Sequence, residues 1–325
     1  MAIITVKGPV PAEQAGYTLS HEHLLCDLWR LDNSYDNILD DESLAIRELA
    51  EYRQSGGACL VDATSCGLGR NPGALSRISE ASGIHIVMGC GWYRERVYPA
   101  LVYEGDTNAL ANLIVGELTD GVEGTGIRAG IIGEIGTERY HITPAQERVF
   151  RAAARAQRRT GACIMTHTTH FGELALEQIA LLREEGVDPG RIVISHLGDR
   201  YDAKRLLEIA RQGVYLSVDN IGYTGSGYPP DESRVRNLCL LAAEGHLDQI
   251  VLGGDVCLKT HLRAYGGKGY AHVIRSFLPM LRAQGVAEEA IHRMTVINPA
   301  RMLDIAEEFT VPAAYAQTAA KPDRS

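Results

Sequence analysis

Eight short apolar runs recur between residues 18 and 257, and helix-length segments separate them. The runs cover 18–25, 58–65, 85–92, 129–136, 162–169, 192–198, 214–221 and 250–257. Runs that are apolar nearly throughout fit strands covered on both faces, as in a parallel sheet. Apolar positions at helical spacing fill 41–54, 144–159, 173–185, 202–212, 233–244 and 271–284. Thr143 before Pro144 makes an N-cap and first-turn pair, and Gly161, Gly186, Gly213 and Gly245 suit helix C-termini. Strands alternating with helices eight times predict an α/β chain folded as a (β/α)8 TIM barrel. Segments 288–293 and 299–308 are expected to supply closing helices. The 325 residues show no shift of composition that would divide them, so 1–309 is expected to be one domain. The Ala-, Pro- and polar-rich stretch 310–325 is expected to be a loosely packed or disordered tail.

The ends of these runs carry the chemistry. His21 and His23 flank Glu22 at the end of the first run, and residues two apart on a strand point to one side. The fourth run ends in Glu134, the fifth in His167, the sixth in His196 and the eighth in Asp255. Active sites of such barrels lie at the C-terminal ends of the strands. A lone His-x-His is a weak signal, and any one of these residues could be a polar strand cap. Six together point to one centre. A single catalytic zinc normally uses three protein ligands. Six suit two divalent metal ions roughly 3.5–4 Å apart, bridged by a hydroxide. Histidine and carboxylate ligands fit zinc, the first choice, and also manganese, cobalt or iron.

Composition narrows the rest. A formal charge of −9 argues against nucleic acid as a partner. No apolar run approaches the ~20 residues of a membrane helix, and the opening Met-Ala-Ile-Ile-Thr-Val-Lys lacks an export-signal pattern. The seven cysteines (26, 59, 66, 90, 163, 239 and 257) form no Cys-x-x-Cys. They read as reduced thiols of a cytoplasmic protein, with Cys257, beside Asp255, the one to watch.

The phrases LSHEHLL, GEIGT, THT and HLRAYGGKGY, with the ligand pattern above, resemble the phosphotriesterase family of the amidohydrolase superfamily over about residues 4–305. They resemble in particular its branch of phosphotriesterase homology and phosphotriesterase-related proteins, where glutamate is the bridging ligand. The resemblance implies that 1–309 is a metallohydrolase domain. It also implies that His21, His23 and Asp255 hold the more buried metal, that His167 and His196 hold the exposed one, and that Glu134 bridges them. A homodimer is implied as well. The better-known organophosphate-hydrolysing and lactonase members carry a carboxylated lysine where this chain has Glu134. Glutamate keeps the charge and both bridging oxygens, but it is shorter, which counts against phosphotriesterase activity.

The implied reaction is attack of the bridging hydroxide on a carbonyl, with Asp255 shuttling the proton. Tyr93 aligns with a tyrosine that points at the substrate carbonyl in the family's lactonases. A phenol there can bond the developing oxyanion; a loop tyrosine merely packing its ring is the plainer alternative. Asp219, in LSVDN, reads either as the partner that orients a ligand histidine or as a structural strand-end carboxylate. In the loop after the eighth run, Arg263 is the preferred contact for an anionic substrate tail, with Tyr265 beside it and Lys259 and Lys268 as further cations.

The expected substrate is a small, anionic molecule containing a lactone or carboxylic ester. An N-acyl amide with an anionic product is the alternative, and phosphotriester hydrolysis a weaker one. A barrel that binds metal without catalysis would lack a ligand or the Asp255 shuttle, and none is missing.

Overall fold

The computed structural model describes residues 2–169, 173–200, 202–225 and 227–305. Eight parallel strands form the barrel: β1 (Thr18–Glu22), β2 (Cys59–Asp62), β3 (His85–Cys90), β4 (Ile131–Gly136), β5 (Ile164–His167), β6 (Ile192–Ile194), β7 (Tyr215–Val218) and β8 (Ile250–Leu252). They are hydrogen-bonded side by side in chain order. Each lies inside the apolar run expected for it. Side chains alternate between the faces of a strand, and the core divides accordingly. Val61, Val87, Ile131, Met165, Val193 and Val251 pack together inside the barrel. Their neighbours Leu60, Ile86, Ile132, Ile164, Ile194 and Leu252 pack outward against the helices.

The intervening helices are α1 (Glu42–Gln54), α2 (Pro72–Ser82), α3 (Thr107–Thr119), α4 (Pro144–Thr160), α5 (Ala175–Glu184), α6 (Ala203–Ala210), α7 (Asp231–Ala243) and α8 (Leu278–Ala283). In α4 the Thr143 side chain accepts from Gln146 N–H while the Gln146 side chain accepts from Thr143 N–H. Gly161 ends the helix at φ 73°, a conformation that glycine adopts without strain. Helices α2 and α3 complete the alternation at segments that periodicity had not singled out. Both had local signals: Asn71 and Asp106 cap them through their side chains. The expected 271–284 helix begins as a π-turn, Val273–Phe277, before α8.

The 299–308 expectation is corrected in part. A helix covers Asn298–Leu303, but Asp304–Ile305 is extended and pairs antiparallel with Ala2–Ile3. That strand, Ala2–Thr5, is half of a hairpin with Gly8–Pro11. Ile3, Ala12, Met302 and Leu303 join the inner barrel cluster, so this corner closes one end of the barrel. The 310–325 segment, residues 306–308 and His170 lie outside the described residues. Among the described residues no helix is long and apolar enough to cross a membrane, and all seven cysteines are unpaired.

The seam between β8 and β1 matters for the site. Asp255 N–H donates to His21 C=O at 3.0 Å. The buried Glu22 carboxylate accepts from Gly254 N–H at 2.5 Å and from Val256 N–H at 3.0 Å. A Cβ at Gly253 would lie 2.7 Å from the His21 carbonyl oxygen, so only glycine lets the strand ends approach this closely. Glu22 therefore faces away from its flanking histidines, as strand alternation requires, and holds Asp255 beside them.

Candidate metal centre

Strand ends bring His21, His23, Glu134, His167, His196 and Asp255 into one cluster. The donor atoms of His21, His23 and Asp255 lie within 4.8 Å of one another, as do those of Glu134, His167 and His196. His23 Nε2 is 3.3 Å and His21 Nε2 3.6 Å from Asp255 Oδ1. Glu134 Oε1 is 2.8 Å from His167 Nδ1, 3.1 Å from His196 Nε2 and 3.6 Å from His21 Nε2. One carboxylate thus touches both groups.

The outer edges of the rings are held from behind. His21 Nδ1 and His196 Nδ1 donate to the two oxygens of Asp219, at 3.0 and 2.9 Å. Ser217 Oγ donates to Asp219 at 2.8 Å. His23 Nδ1 meets Thr64 Oγ1 at 2.9 Å. Of the two readings of Asp219, the geometry selects the orienting one. These bonds leave the Nε2 atoms of His21, His23 and His196 facing the cluster, the arrangement metal-ligating histidines require.

Charge balance follows from burial. Burial pushes the His21 and His196 pKa values down, but carboxylates outweigh it and hold both well above the usual value. Glu134 and Asp255 do so for His21, and Asp219 and Glu134 for His196. Burial pushes His167 down to about 4 despite Glu134. Burial would raise Glu134, but His167 and His21 hold it well below the carboxylate range. His21 Nε2, fully buried, has no hydrogen-bond partner. An unpartnered buried nitrogen among carboxylate oxygens is rare unless something else engages it. The donor set and this orphan atom fit divalent cations.

Backbone strain marks the same place. His196, Asn220 and Asp255, just beyond the ends of β6, β7 and β8, have φ of 64°, 56° and 50°. Such left-handed residues cost about 1–3 kcal/mol each and cluster at functional sites.

A cavity of about 330 Å³ opens over the cluster, lined among others by Tyr93, Arg94, His167, Asp199, Tyr223, Asp255 and Cys257. The Tyr93 hydroxyl is 3.1 Å from His167 Nδ1. Tyr223 donates to the Asp255 carbonyl and lies 3.3 Å from Cys257 Sγ. Burial pushes the Cys257 thiol up, which keeps it protonated and a weak nucleophile.

Arg263 and Tyr265 are not brought to this cavity. The loop that carries them is pinned: Glu48 accepts from the N–H groups of Arg263 and Ala264, Asp36 holds Thr260, and Tyr270 donates to the His23 carbonyl. The Arg263 side chain is therefore 56% exposed, with Nε 3.8 Å from Glu51. Tyr265 borders a separate hollow with Asp40, Asp41 and Leu44. Among the described residues that line the site, the arginine is Arg94, next to Tyr93.

A model of the phosphotriesterase family matches residues 1–303. The chain belongs to the phosphotriesterase family. It is, with that family, a metal-dependent hydrolase. One similar solved structure is the Escherichia coli phosphotriesterase homology protein with phosphate in its active site. It is 35% identical, with a TM-score of 0.86, over 90% of this chain and 99% of that one. The lactonase from Listeria monocytogenes is 30% identical with a TM-score of 0.88, over 94% and 100%. The N-acetyltaurine hydrolase of Danio rerio is 32% identical over 92% of this chain and 97% of its own length. Phosphotriesterase-family relatives thus include enzymes acting on lactones and on an N-acyl amide.

Proposed function

We propose that the chain hydrolyses small carbonyl compounds, lactones or carboxylic esters first, at two divalent metal ions. His21, His23 and Asp255 would hold one ion, His167 and His196 the other, with Glu134 between them. The supporting observation is the single Glu134 oxygen within 3.6 Å of histidines from both groups. Zinc is the first choice of metal. Bound ions of this kind polarise a carbonyl and bring the pKa of water to near 7.

The protein's own residues supply the rest. Asp219 and Thr64 keep the histidine Nε2 atoms turned inward. Asp255, fixed by the Glu22 seam and by Tyr223, takes the proton from the attacking water and delivers it to the leaving group. Tyr93 donates to the oxyanion as the carbonyl becomes tetrahedral. The second reading, hydrolysis of an N-acyl amide with an anionic product, is favoured by Arg94 in the cavity wall. Phosphotriesters are expected to be weaker substrates, because Glu134 stands where the organophosphate-hydrolysing members carry a longer carboxylated lysine.

The test is a panel of lactones, esters, N-acyl amino acids and phosphotriesters on protein of known metal content. Turnover of a carbonyl substrate that disappears with a chelator and returns with zinc is expected. Fully metallated protein that hydrolyses none of the carbonyl substrates contradicts the proposal.

A further inference from the structure

We propose that Arg94 binds a carboxylate or sulfonate on the substrate, a few bonds from the scissile carbonyl, and so selects acyl compounds with an anionic tail. The inference rests on the carbonyl-hydrolase reading above and names the substrate class of that site.

Four observations carry it. First, Arg94 is the one lysine or arginine among the described residues that line the cavity; the charged lining groups besides it and the histidines are Asp32, Asp199 and Asp255. Apart from the histidines and the ions they would hold, an anion that enters meets its cation at Arg94 among the described lining residues. Second, the arginine is built into the site. Its stem lies against the end of β4, where a Cβ on Gly136 would sit 2.9 Å from Arg94 Cγ and 3.0 Å from His167 Cβ. Only a residue without a side chain accommodates both. Third, its place is set relative to the reacting groups. Cζ is 5.9 Å from the centre of the Tyr93 ring, and the hydroxyl of that ring meets His167. The guanidinium thus stands beside the tyrosine that touches the cluster, at the wall of the cavity where a substrate tail would lie.

Fourth, its hydrogen-bonding capacity is only partly used. One Nη donates to Glu138, whose other oxygen accepts from Gln146 Nε2 at 3.4 Å. Gln146 belongs to the N-terminal cap of α4, so Glu138 is held by a helix end. Arg94 Nε is buried without an acceptor, so an incoming oxyanion would meet the Nη end of the guanidinium. A guanidinium has five donors and no acceptor, in a fork that matches an oxyanion. The packing at Gly136 holds the stem in place, and Glu138 competes with an incoming anion for the guanidinium.

That competition makes the proposal separable from a bracing role. The test uses the zinc-loaded full chain with N-acetyltaurine, N-acetyl-β-alanine, neutral N-acetylpropylamine and a neutral lactone. Binding of ethanesulfonate and propionate is followed by calorimetry. Arg94→Gln should lower the anionic-to-neutral ratio of kcat/KM roughly 10–100-fold, the scale of a hydrogen bond to a charged group, and weaken anion binding to match. Arg94→Lys should restore part of it. Glu138→Gln should act in the opposite direction, raising the ratio and tightening anion binding. A merely structural Arg94–Glu138 pair would make both variants lower all substrates alike, with the ratio unmoved; that result overturns the proposal.

If Arg94→Gln does not fold, Glu138→Gln still decides, since an unchanged or lowered anion affinity overturns it too. The larger loss of the two anionic substrates identifies carboxylate or sulfonate as the group read. If the parent hydrolyses nothing in the panel, the carbonyl-hydrolase reading fails, while calorimetry still tests Arg94 by itself.

Discussion

Asp219 Oδ1 accepts two hydrogen bonds from His196, from its backbone N–H and from Nδ1, both at 2.9 Å. The carboxylate thereby fixes the ring's position and keeps a proton on Nδ1, so Nε2 is the atom whose proton a metal ion would displace. Its other oxygen does the same for His21. Burial would raise the Asp219 pKa, but His196 and His21 hold it far below the usual range, so it stays an acceptor.

Asp219→Asn should therefore weaken metal binding roughly 10–100-fold, the usual effect of losing such a partner. An amide cannot accept from both rings at once. Competition with a chromophoric chelator measures it. Parent-like affinity would show that the rings are oriented by something else.

Asp255→Asn should keep much of the metal, since one oxygen ligand remains. It should lower kcat roughly 10²–10⁴-fold, the range of a lost acid-base group. Steady-state kinetics alongside elemental analysis separate the two effects. Full activity at full metal content would remove Asp255 from proton transfer.

Glu22 supports Asp255 from the far side of the seam. In Glu22→Gln a nitrogen replaces one of the two accepting oxygens and faces a backbone N–H. Leaving a buried donor unpaired costs about 1–3 kcal/mol, so the unfolding midpoint in urea should fall, with kcat falling alongside. Unchanged stability would mean that the Gly254 and Val256 bonds contribute little.

The cluster was legible because each of its residues ends a strand whose apolar run can be read locally. A barrel gathers such ends at one rim, so His21, His23, Glu134, His167, His196 and Asp255 needed no knowledge of pairing. Glu22 was visible only as a residue facing the other way. Its partners are backbone N–H groups at 254 and 256, which leave no mark in side-chain pattern. Arg263 illustrates the opposite difficulty. Its loop has glycines and cations suited to a mobile substrate clamp, yet Glu48, Asp36 and Tyr270 pin it, and the guanidinium turns toward α1. Arg94 stood in plain view after Tyr93, but its importance depends on Gly136, a neighbour only in three dimensions. The N-terminal hairpin went unread for a similar reason: Ala2–Thr5 is completed by Asp304–Ile305 from the far end of the described chain.

Glu134→Gln should separate the two ions. It removes the charge that both groups share, and two cations then repel more strongly in a low-dielectric site. The ion at His167 and His196 has fewer other ligands and should be lost first, while His21, His23 and Asp255 retain theirs. Stepwise titration by calorimetry should show one strong site and one weakened site. Two parent-like sites would mean that Glu134 is not the bridge.

The most direct test of the whole account is the metal content of the purified, zinc-loaded chain. Elemental analysis against protein determined by amino-acid analysis should give two ions per chain. One ion or none, after loading with excess zinc or manganese, would contradict a shared two-metal centre at Glu134.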